Sequence, residues 1–419
     1  MKKVIFLAVV CILWIFCTVS RAEVQYSLIV DKTYSSAVGA NNLITLHRGI
    51  YALENRFFKT RWFDENTFGK KTLGVTFRLC KTILLDNALD HLSFLVQHEV
   101  FGHGSRFREF GHIKNSYELN LLFPYGCSSS WARDGTLSPR RVITSHENMA
   151  IIIGGSEANT ILSNLMRYKW LKRGSINYRE TFLYLLTAND LCLYILRTKH
   201  QKRVSEENDI YNFLRAINAY EGYPQEEDYR LTLDDLTKYT LINILNPFQY
   251  FSLYTYFSRY LWSGKENCIL PMINIWNMKY MPSFRLGLTP FGSEFYFENF
   301  IVSTKKIINL YFRYGEPTFR KFYGLGLKAI DLICNQKLSV HARLDIWHQP
   351  SILLGGETVK AAKAGLGGAL FGTVFYKILG ADSFMYIQAQ LGYKTPGFLE
   401  GEKLGKGFIG RIGISFLEL

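Results

Sequence analysis

The chain is 419 residues long, 48% hydrophobic, 20% charged and 15% aromatic, with a formal net charge of +14. That apolar supply can build a large core, which excludes general disorder, and only 10 prolines exclude a collagen-like repeat. Glycine is uneven, with 19 of the 33 lying from Cys268 onward, so the two parts of the chain follow different structural rules.

Lys2 and Lys3 precede an apolar run over 4–19, and Ser20 and Ala22 bracket Arg21. This is the layout of a secretory signal peptide ending at Ala22, whose removal leaves a charge of +11. No other stretch reaches the length of a spanning helix, which argues against a helical multi-pass fold. Cys80, Cys127, Cys192, Cys268 and Cys334 are odd in number and scattered, and no CxxC pair occurs. A disulfide framework and a cysteine-ligated zinc are therefore not expected. The densest basic cluster, 199–203, runs directly into Glu206, Glu207 and Asp209. That mixed run reads as a solvated loop or helix end rather than a nucleic-acid groove. On an exported protein, the basic surface suits anionic lipid head groups or acidic partners.

Residues 23–84 read as N-terminal strands and connections, because Val24, Tyr26, Leu28 and Val30 alternate, as do Leu73, Val75, Phe77 and Leu79. If these strands join the later sheet, the helical part is a long insertion. From 85 to 264 the apolar spacing is three and four, with helices expected over 85–101, 149–170, 181–196 and 247–262. From 265 to 419 the period changes to two. Strands are expected over 272–280, 284–288, 294–302, 307–314, 322–329, 338–346, 364–377, 385–393 and 408–416, separated by turn residues. The fold class is α+β: a helical domain followed by an antiparallel β-barrel of about eight to ten strands.

Alternation alone fits a membrane barrel, apolar outside, or a soluble one, apolar inside. The signal peptide, the glycines and aromatics near strand ends (Trp276, Tyr280, Trp347, Phe384) favour the membrane sense. The last strand resembles the closing strand of outer-membrane barrels, although it ends in Leu419 where an aromatic is usual. The expected location is the bacterial outer membrane, with the periplasm as alternative.

The chemistry is concentrated in Gln97-His98-Glu99-Val100-Phe101-Gly102-His103-Gly104. Neutral imidazoles hold a zinc ion and leave a position for water, and a glutamate beside the first histidine takes that water's proton. In HExxH the histidines are four apart; here they are five apart, about 140° around a regular helix. The extra residue has to be absorbed by a π-bulge, and Gly102 tolerates such a distortion. The pattern His-Glu-x-x-Gly-His resembles the motif of the dipeptidyl-peptidase III family of zinc peptidases. That resemblance implies His98 and His103 as ligands and Glu99 as general base. The family takes its third ligand from a later glutamate-bearing helix. Here the matching position is Glu157, in Gly154-Gly155-Ser156-Glu157, without the family's second glutamate. His112 and Glu147 remain competing third ligands. His146, on nearly the same helical face as Glu157, is a candidate for orienting substrate or stabilising an oxyanion.

The weaker features have plainer explanations. Residues 115–125 suit a strand beside the metal, of the kind that binds extended substrate. Cys127-Ser128-Ser129-Ser130 reads as an exposed serine loop, and Gly365-Leu366-Gly367-Gly368 as close strand packing rather than a phosphate loop. His341 and His348 read as lumen or turn residues. The expected protein is an exported, envelope-associated zinc metallopeptidase acting on a peptide or protein substrate, with membrane association and no nucleic-acid partner. The alternative is a non-enzymatic outer-membrane barrel with a helical plug or partner-binding domain.

Overall fold

The computed structural model describes residues 25–57, 68–112, 114–119, 128–132, 141–201, 208–303, 306–378 and 384–417. The segment expected to be a signal peptide and Cys127 lie outside the described residues. The chain enters through strand β1 (Gln25–Val30) and helices α1 (Ser36–Phe57) and α2 (Phe68–Lys81). Helix α3 (Asn87–His98) passes through a π-helical turn, Glu99–His103, into helix α4 (Gly104–Glu109). A ribbon of β2 (Asn115–Leu119) and β3 (Ser128–Ala132) follows, then the long helix α5 (Ser145–Arg173) and strand β4 (Ser175–Asn177). Helices α6 (Tyr178–His200), α7 (Asp209–Tyr220), α8 (Leu233–Tyr239) and α9 (Pro247–Tyr254) complete the helical region. The strand-rich end comprises β5 (Asn267–Ile269), β6 (Ile273–Ile275), β7 (Met278–Thr289), β8 (Gly292–Val302), β9 (Ile307–Gly315) and β10 (Tyr323–Cys334). It continues with β11 (Leu338–Gln349), β12 (Ile352–Leu354), β13 (Lys360–Ala362), β14 (Gly365–Lys377), β15 (Met385–Lys394) and β16 (Gly407–Leu417).

Ten strands form one antiparallel sheet in the order β1-β16-β15-β14-β11-β10-β9-β8-β7-β6. Strand β1 pairs with β16 from Gln25↔Leu417 to Val30↔Ile412, so the helical region is an insertion into a sheet that both chain ends build. The expected closed barrel is not observed, because β1 and β6 are the two edges of the sheet and do not pair. The reason is visible at β1, whose free edge is taken up by helices. The Asn42 side chain accepts from Ile29 N at 2.8 Å and donates to Ile29 O at 3.0 Å, and Thr45 Oγ1 donates to Ser27 O at 2.8 Å. Lys169 of α5 caps Gln25 O. Covering an edge in this way satisfies its backbone without a further strand. A second expectation needs correction: Leu73, Val75, Phe77 and Leu79 lie in helix α2, not a strand.

The sheet's two faces are inverted relative to a soluble sandwich. Ser27, Arg411, Gln388, Thr373, Asp345, Arg313 and Glu298 are buried on the concave side. Leu391, Leu370, Leu344, Phe312 and Ile412 project from the other, with Leu391 71% and Ile412 65% exposed. Helix α5 lies against the concave side and is buried along both halves of its length. It starts with a capping box in which Thr144 Oγ1 accepts from Glu147 N and the Glu147 side chain accepts from Thr144 N. It ends at Gly174 in the left-handed region, φ 72°.

The C-terminal half of α5 is bonded to the sheet through its charges. Arg167 pairs with Glu298 at 2.6 Å and donates to Ser283 Oγ at 2.7 Å; Asn309 donates to Tyr168 OH at 2.8 Å; Lys172 pairs with Asp331 at 2.8 Å. Both members of the Arg167–Glu298 pair are at most 5% exposed. Breaking such a pair from one side strands a buried charge, at a cost of about 3–5 kcal/mol. We therefore expect Arg167→Met to lower stability by about that amount, and the double variant Arg167→Met with Glu298→Gln to recover a large part of it. Urea unfolding followed by tryptophan fluorescence measures both; a double variant no more stable than the single one would contradict the pairing.

Candidate metal centre

His98 closes helix α3 and His103 closes the π-helical turn that follows. Gly104 N donates to Glu99 O, an i→i+5 bond that takes up the one-residue insertion in the motif. As a result, the two imidazoles, which a regular helix would splay apart, face each other with ring centroids 5.0 Å apart. The turn approaches α5 closely. A Cβ at Gly102 would come within 2.7 Å of Gly154 O and Gly155 Cα, and a Cβ at Gly155 within 2.2 Å of His98 Nε2. Only glycines on both sides permit this packing.

Each imidazole is oriented through its Nδ1. His98 Nδ1 lies 3.1 Å from Asp190 Oδ2 on α6, and the same oxygen accepts from Asn159 Nδ2 at 2.9 Å. His103 Nδ1 lies 2.7 Å from Ile151 O, an acceptor only, so this nitrogen carries the proton. Both Nε2 atoms are thereby turned to a common point, the arrangement that fixes metal-binding imidazoles. Glu99 is buried between them in sequence, and one donor atom from each of His98, Glu99 and His103 falls within a 4.8 Å group.

A fourth side chain converges there. Asp209 Oδ2 lies 3.3 Å from His103 Nε2 and 3.6 Å from His98 Nε2. Two donors held tetrahedrally at 2.0–2.1 Å from one zinc ion lie about 3.4 Å apart, so this spacing fits a shared ion. Asp209 is the first residue of α7 and is placed by α6: its N–H donates to Tyr194 OH at 3.1 Å, and the capping residue Asn208 donates to Thr198 Oγ1 at 3.0 Å. Burial opposes charge on all three groups, yet their mutual attraction prevails. Asp190 and Asp209 raise His98 well above the ordinary imidazole value, Asp209 raises His103, and the two imidazoles hold Asp209 well below the usual carboxylate range. The point where they meet is one that favours a positive charge.

The structure does not bring Glu157 to this point. Its two oxygens take bidentate bonds from Arg106, at 2.6 and 2.7 Å, and Gly401 N donates to Oε1 at 2.7 Å. Helical rotation explains the placement: Gly155 faces His98, and a residue two positions later points about 200° away. Asn159, four positions after Gly155, returns to the His98 side and supports Asp190. Glu147 is engaged by the capping box and by Arg141 at 2.7 Å. His112 packs edge-on to Phe107, ring centroids 5.3 Å apart. The β2–β3 ribbon packs near the π-turn, with β2 covering 115–119 of the expected 115–125 and 120–125 outside the described residues. Sequence reasoning missed Asp209, which belongs to a run read as solvated; an acid in a helix's first turn is common and signals no ligand. It also missed Asp190, one acid within an amphipathic helix.

Among known proteins, no family model matches the chain and no curated protein does, so the functional reading rests on this geometry.

His146 sits apart from the cluster, near the start of α5. Its ring packs on Tyr220 (4.6 Å) and Phe291 (5.6 Å), and Nδ1 accepts from Leu353 N at 3.2 Å. Burial, with the nearby Arg320 charge, pushes it down to about 4. Its contacts are thus two aromatic rings and a backbone amide, away from the His98–His103 pair. Between about 4 and the ordinary value of 6.5, the unfolded chain takes up a proton that the folded protein refuses. Its contribution is therefore complete above that window and is lost as pH falls through it, up to about 3 kcal/mol. His146→Asn, which keeps an acceptor near Nδ1, is expected to flatten the fall in melting temperature between pH 6.5 and 4. Parallel wild-type and variant curves would contradict this placement.

Proposed function

We propose that the chain is an envelope-associated zinc metallopeptidase whose ion is held by His98 Nε2, His103 Nε2 and Asp209 Oδ2. The observation that carries this reading is the donor spacing, 3.3 and 3.6 Å, at a point where both Nδ1 atoms are already committed to other partners. Bound zinc would supply Lewis acidity, making water acidic near neutral pH and polarising a carbonyl. Glu99, next to His98 and buried at the same point, is the base that takes the proton from attacking water and returns it to the leaving amine. Asp190 and Ile151 O hold the imidazoles in the tautomer that presents Nε2, and Asn159 holds Asp190. The β2–β3 ribbon beside the π-turn offers backbone for an extended peptide, which favours peptide-bond hydrolysis over other hydrolytic chemistry.

The outward face of the sheet supports an outer-membrane location, because its alternation has the sense of a lipid-facing strand array: apolar outside, charged inside. Among the described residues no helix is long and apolar enough to cross a membrane. In this reading the sheet meets lipid, with helices rather than a strand covering its β1 edge.

Metal content and turnover test the assignment together. Purified wild type is expected to hold about one zinc per chain and to cleave peptides in a chelator-sensitive manner. His98→Ala combined with His103→Ala abolishes both. Glu99→Gln keeps the zinc and loses about 10²–10⁴-fold in kcat. Asp209→Asn weakens zinc binding at least 10-fold in competition with a chelator. Equal, substoichiometric zinc in wild type and the double histidine variant would overturn the reading; zinc retention without hydrolysis of any peptide would leave only its catalytic half refuted.

A further inference from the structure

A second site lies in the hollow of the sheet. The concave face, with helices α1 and α5, encloses a cavity of about 240 Å³ that shares no residue with the metal centre. It is near the small end of ligand pockets, which run from about 300 Å³. Part of its lining is apolar, supplied by Ile161, Leu165, Ile330, Phe371 and Phe375. The remainder is charged, and most of the charges are matched. Arg285 pairs with Glu400 at 2.7 Å, Arg411 with Glu402 at 2.8 Å, Arg343 with Asp345 at 2.8 Å, and Lys172 with Asp331 at 2.8 Å.

One cation on the lining, Lys328, has no polar partner among the described residues, and a second, Arg313, has an ion pair but no hydrogen bond. Lys328 makes no hydrogen bond or ion pair among the described residues; its Nζ stands 3.8 Å from the centroid of the Tyr168 ring. In the sheet register it lies directly between Asn309 and Arg343, so its cross-strand neighbours are an amide and another cation. Like charges placed opposite each other across strands are destabilising. Arg313, two inward positions further along β9 from Asn309, is 1% exposed, and none of its three guanidinium nitrogens makes a hydrogen bond. The nearest carboxylate oxygen, Glu294 Oε1, is 3.6 Å from it. On β10, ahead of Lys328, the positions opposite Arg313 and Tyr311 are glycines: a Cβ at Gly324 would come within 2.8 Å of Arg313, and one at Gly326 within 2.1 Å of the Tyr311 ring. Lys328 is half-buried, and burial together with the Arg343 charge pushes its ammonium down to about 7, a shift that an anion beside it would oppose.

We propose that this cavity binds a small oxyanion, a carboxylate or a phosphate, with Lys328 as its counter-charge and the apolar part of the lining receiving its carbon body. An oxyanion is the partner that best satisfies an ammonium without a carboxylate of its own. The proposal is independent of the metal reading, since the two sites share no residue.

Isothermal titration of the full mature chain with hexanoate and, separately, with inorganic phosphate tests it. The expected result is saturable one-to-one binding of hexanoate, at least 10-fold weaker in Lys328→Met and unchanged in Lys238→Met, whose side chain is 72% exposed on the surface. Saturable phosphate binding with the same dependence on Lys328 also supports the site and shows that the anionic head alone is recognised. If Lys328→Met does not fold, Lys328→Gln, which removes the charge but keeps a polar chain, carries the same comparison. Absence of binding by both probes, or binding that survives loss of the Lys328 charge, overturns the proposal.

Discussion

The contact between the π-helical turn and helix α5 is the constraint on which the facing of His98 and His103 depends. Gly102 meets Gly154 and Gly155 backbone to backbone, and Gly155 meets the His98 ring. A methyl group at either position would push the turn off the helix. Ile151 O could then no longer reach His103, nor Asn159 the Asp190 that holds His98. The insertion that separates this motif from HExxH is therefore absorbed in two linked ways: an i→i+5 turn brings the histidines to one side, and a pair of glycines on the facing helix makes room for them there.

Helix α5 ties this chemistry to the sheet. Its N-terminal half supplies the glycines, the carbonyl and the amide that shape the centre, and its C-terminal half is bonded to the concave face through Arg167, Tyr168 and Lys172. Glu157, between the halves, secures Arg106 of α4 and the backbone of Gly401 in the sheet region. A polar inner face is what allows a charged helix to be buried there. The outer face is apolar for the complementary reason, leaving lipid as its natural solvent in the proposed setting.

The sequence carried some of this clearly. Most period-two stretches from 284 to 416 folded as strands, whereas the expected strand 272–280 is a hairpin turning at Trp276 and Asn277 and 284–288 continues its second arm; α3, α5 and α6 overlap the segments with three- and four-residue spacing. The Tyr26–Val30 alternation marked a strand correctly, whereas the equal alternation at Leu73–Leu79 misled. In helix α2 Leu73, Phe77 and Leu79 are exposed apolar residues, so the pattern there does not report a buried face. The open sheet was not legible, because period-two spacing reports faces and not what bonds an edge, and the β1 edge is satisfied by two side chains of the next helix, Asn42 and Thr45. His98, Glu99 and His103 were legible because they are local; Asp209 was not, because only the packing of α7 on α6 brings it there. That Glu157 lies on the side of α5 away from the histidines was not legible, because sequence distance cannot tell which side of the helix faces them, and the position of Gly155 decides it.

The most direct measurement is an anomalous-difference map collected at the zinc edge from crystals of the mature protein grown with zinc. The account predicts one strong peak bonded to His98 Nε2, His103 Nε2 and Asp209 Oδ2 at about 2.0–2.2 Å each. A map without a peak at that point, or with the ion held by Glu157 in place of Asp209, would contradict it.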